Sequence, residues 1–212
     1  MISIIDYNMG NLRSVANAFV ALGQEVMVTS NPNDLRSASA IILPGVGAFS
    51  DGKRNLEKLG FIEILNEEVI EKGKPYLGIC LGMQFLAQES YENGCHKGFG
   101  WINGNVKRIK PCESKYKVPH MGWNNVQVQR KDGLFVGLGE GPVFYFVHSY
   151  CLDIEESSFN YVTSTCWHGV RITASVQKEN IFGVQFHPEK SQGAGLKLLK
   201  NFVDTASGAT NA

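Results

Sequence analysis

Gly78-Ile79-Cys80-Leu81-Gly82 sets one thiol between two glycines, after the apolar run 75–79 and before a helical pattern over 81–90. A G-x-nucleophile-x-G stretch between strand and helix is the context of a nucleophile elbow, a sharp turn that glycines permit by removing side-chain crowding. The turn projects the sulfur beyond the C-terminal edge of a sheet and aims the Leu81 N–H at whatever the sulfur attacks. A helix starting at residue 81 would add its N-terminal field to the stabilisation of a thiolate. Cys95, Cys112, Cys151 and Cys166 lack such flanks and read as structural thiols.

A thiol nucleophile needs a base, and the base needs an orienting group. His187-Pro188-Glu189 follows the apolar run 181–186 and offers both. Proline pushes the residue before it toward extended backbone, where positions i and i+2 share a side. Glu189 would then hold one imidazole nitrogen of His187 and leave the other for Cys80. A locally satisfied histidine is the bland alternative. Gly45-Val46-Gly47, within the turn after the run 40–43, could aim backbone N–H groups inward as an oxyanion hole. Losing one such donor typically costs ~10²–10³ in rate.

These groups need a frame that brings them to one edge. Residues 2–5, 25–29, 40–43 and 75–79 read as strands, and 12–23, 61–73 and 81–90 as helices. Continuous apolar strands alternating with helices predict a mostly parallel α/β sheet with helices on both faces. From about Gly98 onward the pattern turns strand-rich (104–109, 124–129, 143–150, 161–166, 170–176 and 181–186), which predicts an antiparallel second half. A last helix over 193–206 should precede a fraying polar tail, 207–212. A single domain over 1–212 is expected, because no linker or repeat divides the chain.

Twenty basic and twenty acidic side chains cancel, so the electrostatic footprint of a nucleic-acid binder is missing. Polar residues interrupt every apolar run below membrane-spanning length, and the first ten residues do not read as a signal peptide. Five irregularly spaced cysteines predict reduced thiols in a cytoplasmic protein rather than a disulfide frame or a zinc site.

The elbow, the HPE triplet and the PGVG turn, in this order and separation, resemble the class I (triad-type) glutamine amidotransferases over nearly the whole chain. "DYNMGNLRSV", "PHMGWN", "YFVHSY" and "GVQFHPEKSQ" resemble the glutaminase subunits of that family that serve a separate cyclase. The resemblance implies a flavodoxin-like fold and a Cys80–His187–Glu189 triad that hydrolyses L-glutamine without cofactor or metal. It implies an oxyanion hole from the Leu81 N–H and an N–H of Gly45-Val46-Gly47, completed by a peptide flip near Val46. Gln84 and the backbone around His148, Ser149 and Tyr150 would hold the substrate's amino-acid end. Gln84 and His148 could equally be polar residues satisfied by their neighbours.

Ammonia set free in neutral water is protonated and ceases to be a nucleophile, so it must travel sheltered to an acceptor. No second catalytic module is legible in this chain. The resemblance supplies the acceptor: a (β/α)8 cyclase in a heterodimer, making imidazole glycerol phosphate for histidine biosynthesis. Asn11, Trp123, Asn124, Tyr145 and Lys190 match positions that meet the cyclase. Trp123 could instead plug the core, and Lys190 could be a solvated charge. Other acceptors (surface-sugar amidation) and a catalytically silent regulatory subunit are the competing readings. His168 departs from the acidic or aromatic residue more usual in the family.

Overall fold

The computed structural model describes residues 1–208, so the last four residues of the expected polar tail lie outside the described ones. The first half winds β1 (Ile2–Ile5), α1 (Leu12–Ala21), β2 (Val26–Thr29), β3 (Ala40–Gly45), α2 (Phe49–Lys58), α3 (Phe61–Leu65) and β4 (Tyr76–Cys80). Every residue of β1, β3 and β4 is buried, as helices on both faces require. Strand alternation sorts the side chains. Ile42, Leu77 and Ile79 pack with α1, while Ile41, Leu43 and Tyr76 pack with α2 and α3.

The second half adds β5 (Glu89–Ser90), β6 (His96–Lys97), β7 (Gly104–Arg108), β8 (His120–Val128), β9 (Val143–His148), β10 (Tyr150–Ile154), β11 (Val162–Trp167), β12 (Arg171–Lys178), β13 (Ile181–Val184) and α5 (Gln192–Ala206). The large sheet runs β2-β1-β3-β4-β13-β12-β11-β8-β9, and a small one runs β10-β7-β5-β6. The strands from β2 to β13 are parallel, and those beyond β13 antiparallel. The expected parallel half and antiparallel half therefore share one sheet, with β13 closing the parallel part. Among the described residues no helix is long and apolar enough to cross a membrane.

Two expected helices need correction, and one helix has no counterpart in the sequence pattern. The helix expected over 81–90 is α4, only Leu81–Gln84. Residues 81–87 are buried without a polar side, and the chain then turns into the small sheet, where the Gln88 N–H bonds the Gly104 carbonyl. The helix expected over 61–73 is α3 followed by a wide π-type turn at Asn66–Glu71. Helix α2 was not foreseen. It is polar except for the face carrying Phe49, Gly52 and Leu56.

Candidate active site

Parallel pairing brings the candidate chemistry to one rim. Gly45 at the end of β3 pairs with Cys80 at the end of β4, and Ile79 pairs with Val184 of β13. Cys80 has φ +54° and ψ −105°, a conformation that costs a non-glycine residue roughly 1–3 kcal/mol unless its surroundings enforce it. The flanking glycines are the enforcement. A Cβ on Gly82 would stand 1.8 Å from the Leu43 carbonyl oxygen, and one on Gly78 would stand 2.4 Å from that of Gly82. Their φ values are ordinary, so the strain resides in the cysteine while the glycines admit close backbone. With only four residues, α4 supplies the local N–H groups of its first turn rather than the helix field anticipated from a longer helix.

His187 follows β13 past the sheet edge. Its Nδ1 lies 2.8 Å from Glu189 Oε1, and both side chains are buried. The route differs from strand alternation: Pro188–Lys190 forms a 3₁₀ turn that swings Glu189 back under the ring. The His187 N–H bonds the Tyr145 carbonyl at 2.8 Å, and the Ser191 hydroxyl donates to the His187 carbonyl at 2.6 Å. Burial lowers the imidazole pKa, but Cys80 and Glu189 together outweigh it and raise it to about 10. The thiol thus acts strongly on the ring although no well-formed hydrogen bond joins it to Nε2, which is buried and has no hydrogen-bond partner among the described residues. Apo catalytic contacts are often loose in this way. Gln185, absent from the sequence-based site, donates Nε2–H to Cys80 Sγ at 3.6 Å.

A pocket of about 370 Å³ opens over the sulfur, lined among others by Val46, Gly47, Leu81 and Gln84. Gly45 sits just behind it, so close to Tyr7 that a Cβ would stand 2.1 Å from its hydroxyl. Gly47 has φ +97°, available to glycine at little cost. His148, Ser149 and Tyr150 form the far wall, where Ser149 alone links β9 of the large sheet to β10 of the small one. Gln84 Nε2 donates to the Tyr150 carbonyl (3.0 Å) and to Gln185 Oε1 (3.1 Å). Both amide hydrogens are therefore engaged, and only its Oε1 is left to meet a ligand. The His148 ring likewise turns to Tyr150 and His120. Glu92 completes the lining and accepts the Phe49 N–H at 2.8 Å. No local pattern marked it, since its partner lies 43 positions away. A larger cavity of about 470 Å³, beside Arg108, Leu152 and Arg171, shares no residue with this pocket.

The residues expected to meet a partner divide. Trp123 is 61% exposed and Met121 63%, which excludes the core-plug alternative for Trp123. Trp123 stands edge-on to Tyr145 across the β8–β9 pair, and Lys190 Nζ lies 5.7 Å from the Tyr145 ring centre. Asn124 is half-buried and donates to the Trp167 carbonyl. Asn11 caps α1 by accepting the Ser14 N–H. Among the described residues no group of three or more His, Cys, Asp or Glu side chains could hold a metal ion.

A strained thiol, a carboxylate-held imidazole and a glycine turn on one rim of an α/β sheet agree with the family model for class-I glutamine amidotransferases, which matches residues 3–206. The chain belongs to that family. Among its relatives, subunit HisH 1 of imidazole glycerol phosphate synthase from Campylobacter jejuni is 46% identical over 203 residues, covering 96% of this chain and 99% of that one. Subunit HisH of the same synthase from Moorella thermoacetica is 47% identical over 211 residues, covering 100% and 98%. The fold matches PurLQS from Thermotoga maritima with a TM-score of 0.73 at 22% identity, over 96% and 97% of the two chains.

Proposed function

We propose that the chain, acting as one domain over residues 1–212, is the glutaminase subunit of an imidazole glycerol phosphate synthase. It hydrolyses L-glutamine and passes ammonia to a (β/α)8 cyclase partner in the cytoplasmic histidine pathway. One observation carries the chemistry: Cys80, strained at the end of β4, shares a rim with the buried His187–Glu189 pair.

The Cys80 thiolate attacks the side-chain carbonyl carbon of glutamine. The Leu81 N–H and a donor of Gly45-Val46-Gly47 take the oxyanion charge. His187 passes a proton to the departing nitrogen, so that ammonia leaves and a γ-glutamyl thioester stays on the sulfur. Water then loses a proton to His187, its oxygen attacks the thioester, and glutamate departs as the thiol is restored. Glu189 keeps the proton on Nδ1 and supports the imidazolium. Glu92 and the free oxygen of Gln84 provide acceptors for the substrate's ammonium group.

The exposed side of the β8–β9 pair, with Met121, Trp123 and Tyr145 beside Lys190, presents aromatic and apolar surface suited to an interface centre. Reconstitution tests the assignment. Glutamate release should rise on adding the cyclase subunit with its nucleotide ligand, and a glutamine-mimicking diazo-ketone should label Cys80. A labelled enzyme that the cyclase does not stimulate would move the acceptor elsewhere; an unlabelled Cys80 would remove the triad.

A further inference from the structure

At the far wall of the pocket and just behind it stand two buried imidazoles, His148 and His120, whose rings the hydrolysis does not use. His120 and His148 are 3% and 6% exposed, directly paired in the β8–β9 ladder, with His120 Nδ1 3.0 Å from His148 Nε2. His148 Nδ1 lies 2.8 Å from the Tyr150 carbonyl, which can only accept, so Nδ1 carries the proton. In a neutral ring Nε2 must then accept, which makes His120 Nδ1 a donor. His120 Nε2 accepts in turn from Asn124 Nδ2, 3.1 Å away, whose orientation is set by its second bond to the Trp167 carbonyl at 2.9 Å. Each tautomer follows from the one before it.

The chain continues past the carbonyl. Tyr150 also accepts from Gln84, Gln84 donates to Gln185, and Gln185 donates to Cys80 Sγ. We propose that His120 and His148 are positioning residues: neutral imidazoles of fixed tautomer that tie Asn124, next in sequence to the partner-facing Trp123 and on the opposite face of β8, to the Tyr150 carbonyl in the pocket wall. The donor direction reverses at that carbonyl, so the chain conveys geometry and not protons. A shift of Asn124 on partner docking reaches the pocket wall and the amide that touches the nucleophile.

The surroundings keep both rings uncharged. Burial, followed by the neighbouring His148 and His168, pushes His120 down to about 3; burial also holds His148 at about 4 despite its bond to Tyr150. His168 and Phe146 stack on His120 with ring centres 4.2 and 4.6 Å away, and among the described residues neither ring pairs with a carboxylate.

The inference rests on the proposed glutaminase role and is tested in the full heterodimer with the cyclase. His120→Phe keeps the stacking but deletes the donor to His148; His120→Asn restores a donor near the Nδ1 position. The expected result for His120→Phe is a rise of about tenfold in the KM for glutamine together with loss of most of the partner's stimulation, both largely recovered in His120→Asn. A fall in kcat at unchanged KM, with no recovery in His120→Asn, would mark a merely structural histidine and overturn the proposal. Nitrogen-15 NMR of the wild-type imidazoles decides independently should a variant misfold. His148 should keep a protonated Nδ1 and a bare Nε2 across roughly pH 5–8, and the opposite tautomer or a titration in that window refutes the chain. A wild-type heterodimer inactive on glutamine would instead defeat the proposed function and leave the NMR prediction standing.

Discussion

The two rims of the parallel sheet treat buried charge in opposite ways. Below the N-terminal ends of β3 and β4, Glu68 is almost fully buried and saturated, with Lys74 at 2.6 Å, Lys72 at 2.7 Å and Arg36 at 3.7 Å. Lys74 also donates to the Leu35 and Arg36 carbonyls, and Asn180 clamps the Val69 and Lys74 carbonyls. At the C-terminal rim, His187 Nε2, Glu189 Oε2 and the Tyr7 hydroxyl are buried without hydrogen-bond partners among the described residues, and Cys80 holds a strained backbone. A saturated ion pins the chain but offers a substrate nothing. Unmatched donors and acceptors cost stability and become useful when a substrate matches them.

If that contrast is right, injuries to the two rims should separate activity from stability. The largest effect is expected for Cys80→Ala or His187→Ala: glutamate release falls on the order of 10⁴-fold or more, while the heterodimer still assembles on size exclusion. Appreciable turnover by either variant would erase the contrast. Glu189→Gln should follow, with kcat down on the order of 10²–10⁴-fold because the imidazole loses its tautomer control; stopped-assay kinetics measure it.

Gly82→Ala injures both properties, since its methyl would collide with the Leu43 carbonyl. Unfolding in urea should show a loss of about 2–4 kcal/mol, with little activity in the folded fraction. Glu68→Gln, at the other rim, should lower stability by about 1–3 kcal/mol through the unpaired Lys74 and leave kcat and KM as they were.

The pH limbs of stability sharpen the same contrast. The His187 pKa is raised on folding, so its contribution is full below the unfolded value near 6.5 and is lost as pH climbs toward about 10. Burial of Glu68 opposes ionisation, but its bonds to Lys72 and Lys74 prevail and lower its pKa. That contribution is present above the ordinary Glu value and disappears as pH falls through the depressed one. Melting curves against pH should therefore show Glu189→Gln flattening the alkaline limb and Glu68→Gln the acid limb. The reverse assignment would contradict the two-rim account.

Much of the C-terminal rim was legible because its signals are local. The glycines around Cys80, the proline between His187 and Glu189 and the glycine pair at Gly45 and Gly47 announce turns that only a few backbone conformations can make. The buried strands were legible for the same reason, as unbroken apolar runs. Helix α2 escaped because two apolar side chains in ten residues gave no clear stripe until packing of Gly52 against Tyr7 and Phe85 defined one. The length of α4 escaped because a uniformly buried segment carries no periodicity to read.

By itself the sequence singled out the candidate side chains of the site and the parallel sheet that holds them. Glycine, proline and apolar continuity act over a handful of bonds and depend on no distant neighbour. Only the tertiary structure decided that Gln185 reaches the sulfur, that Glu92 lines the pocket and that His120 and His148 meet ring to ring. Those contacts join residues tens of positions apart, which only the folded arrangement of strands, turns and helix ends brings within a hydrogen bond's reach.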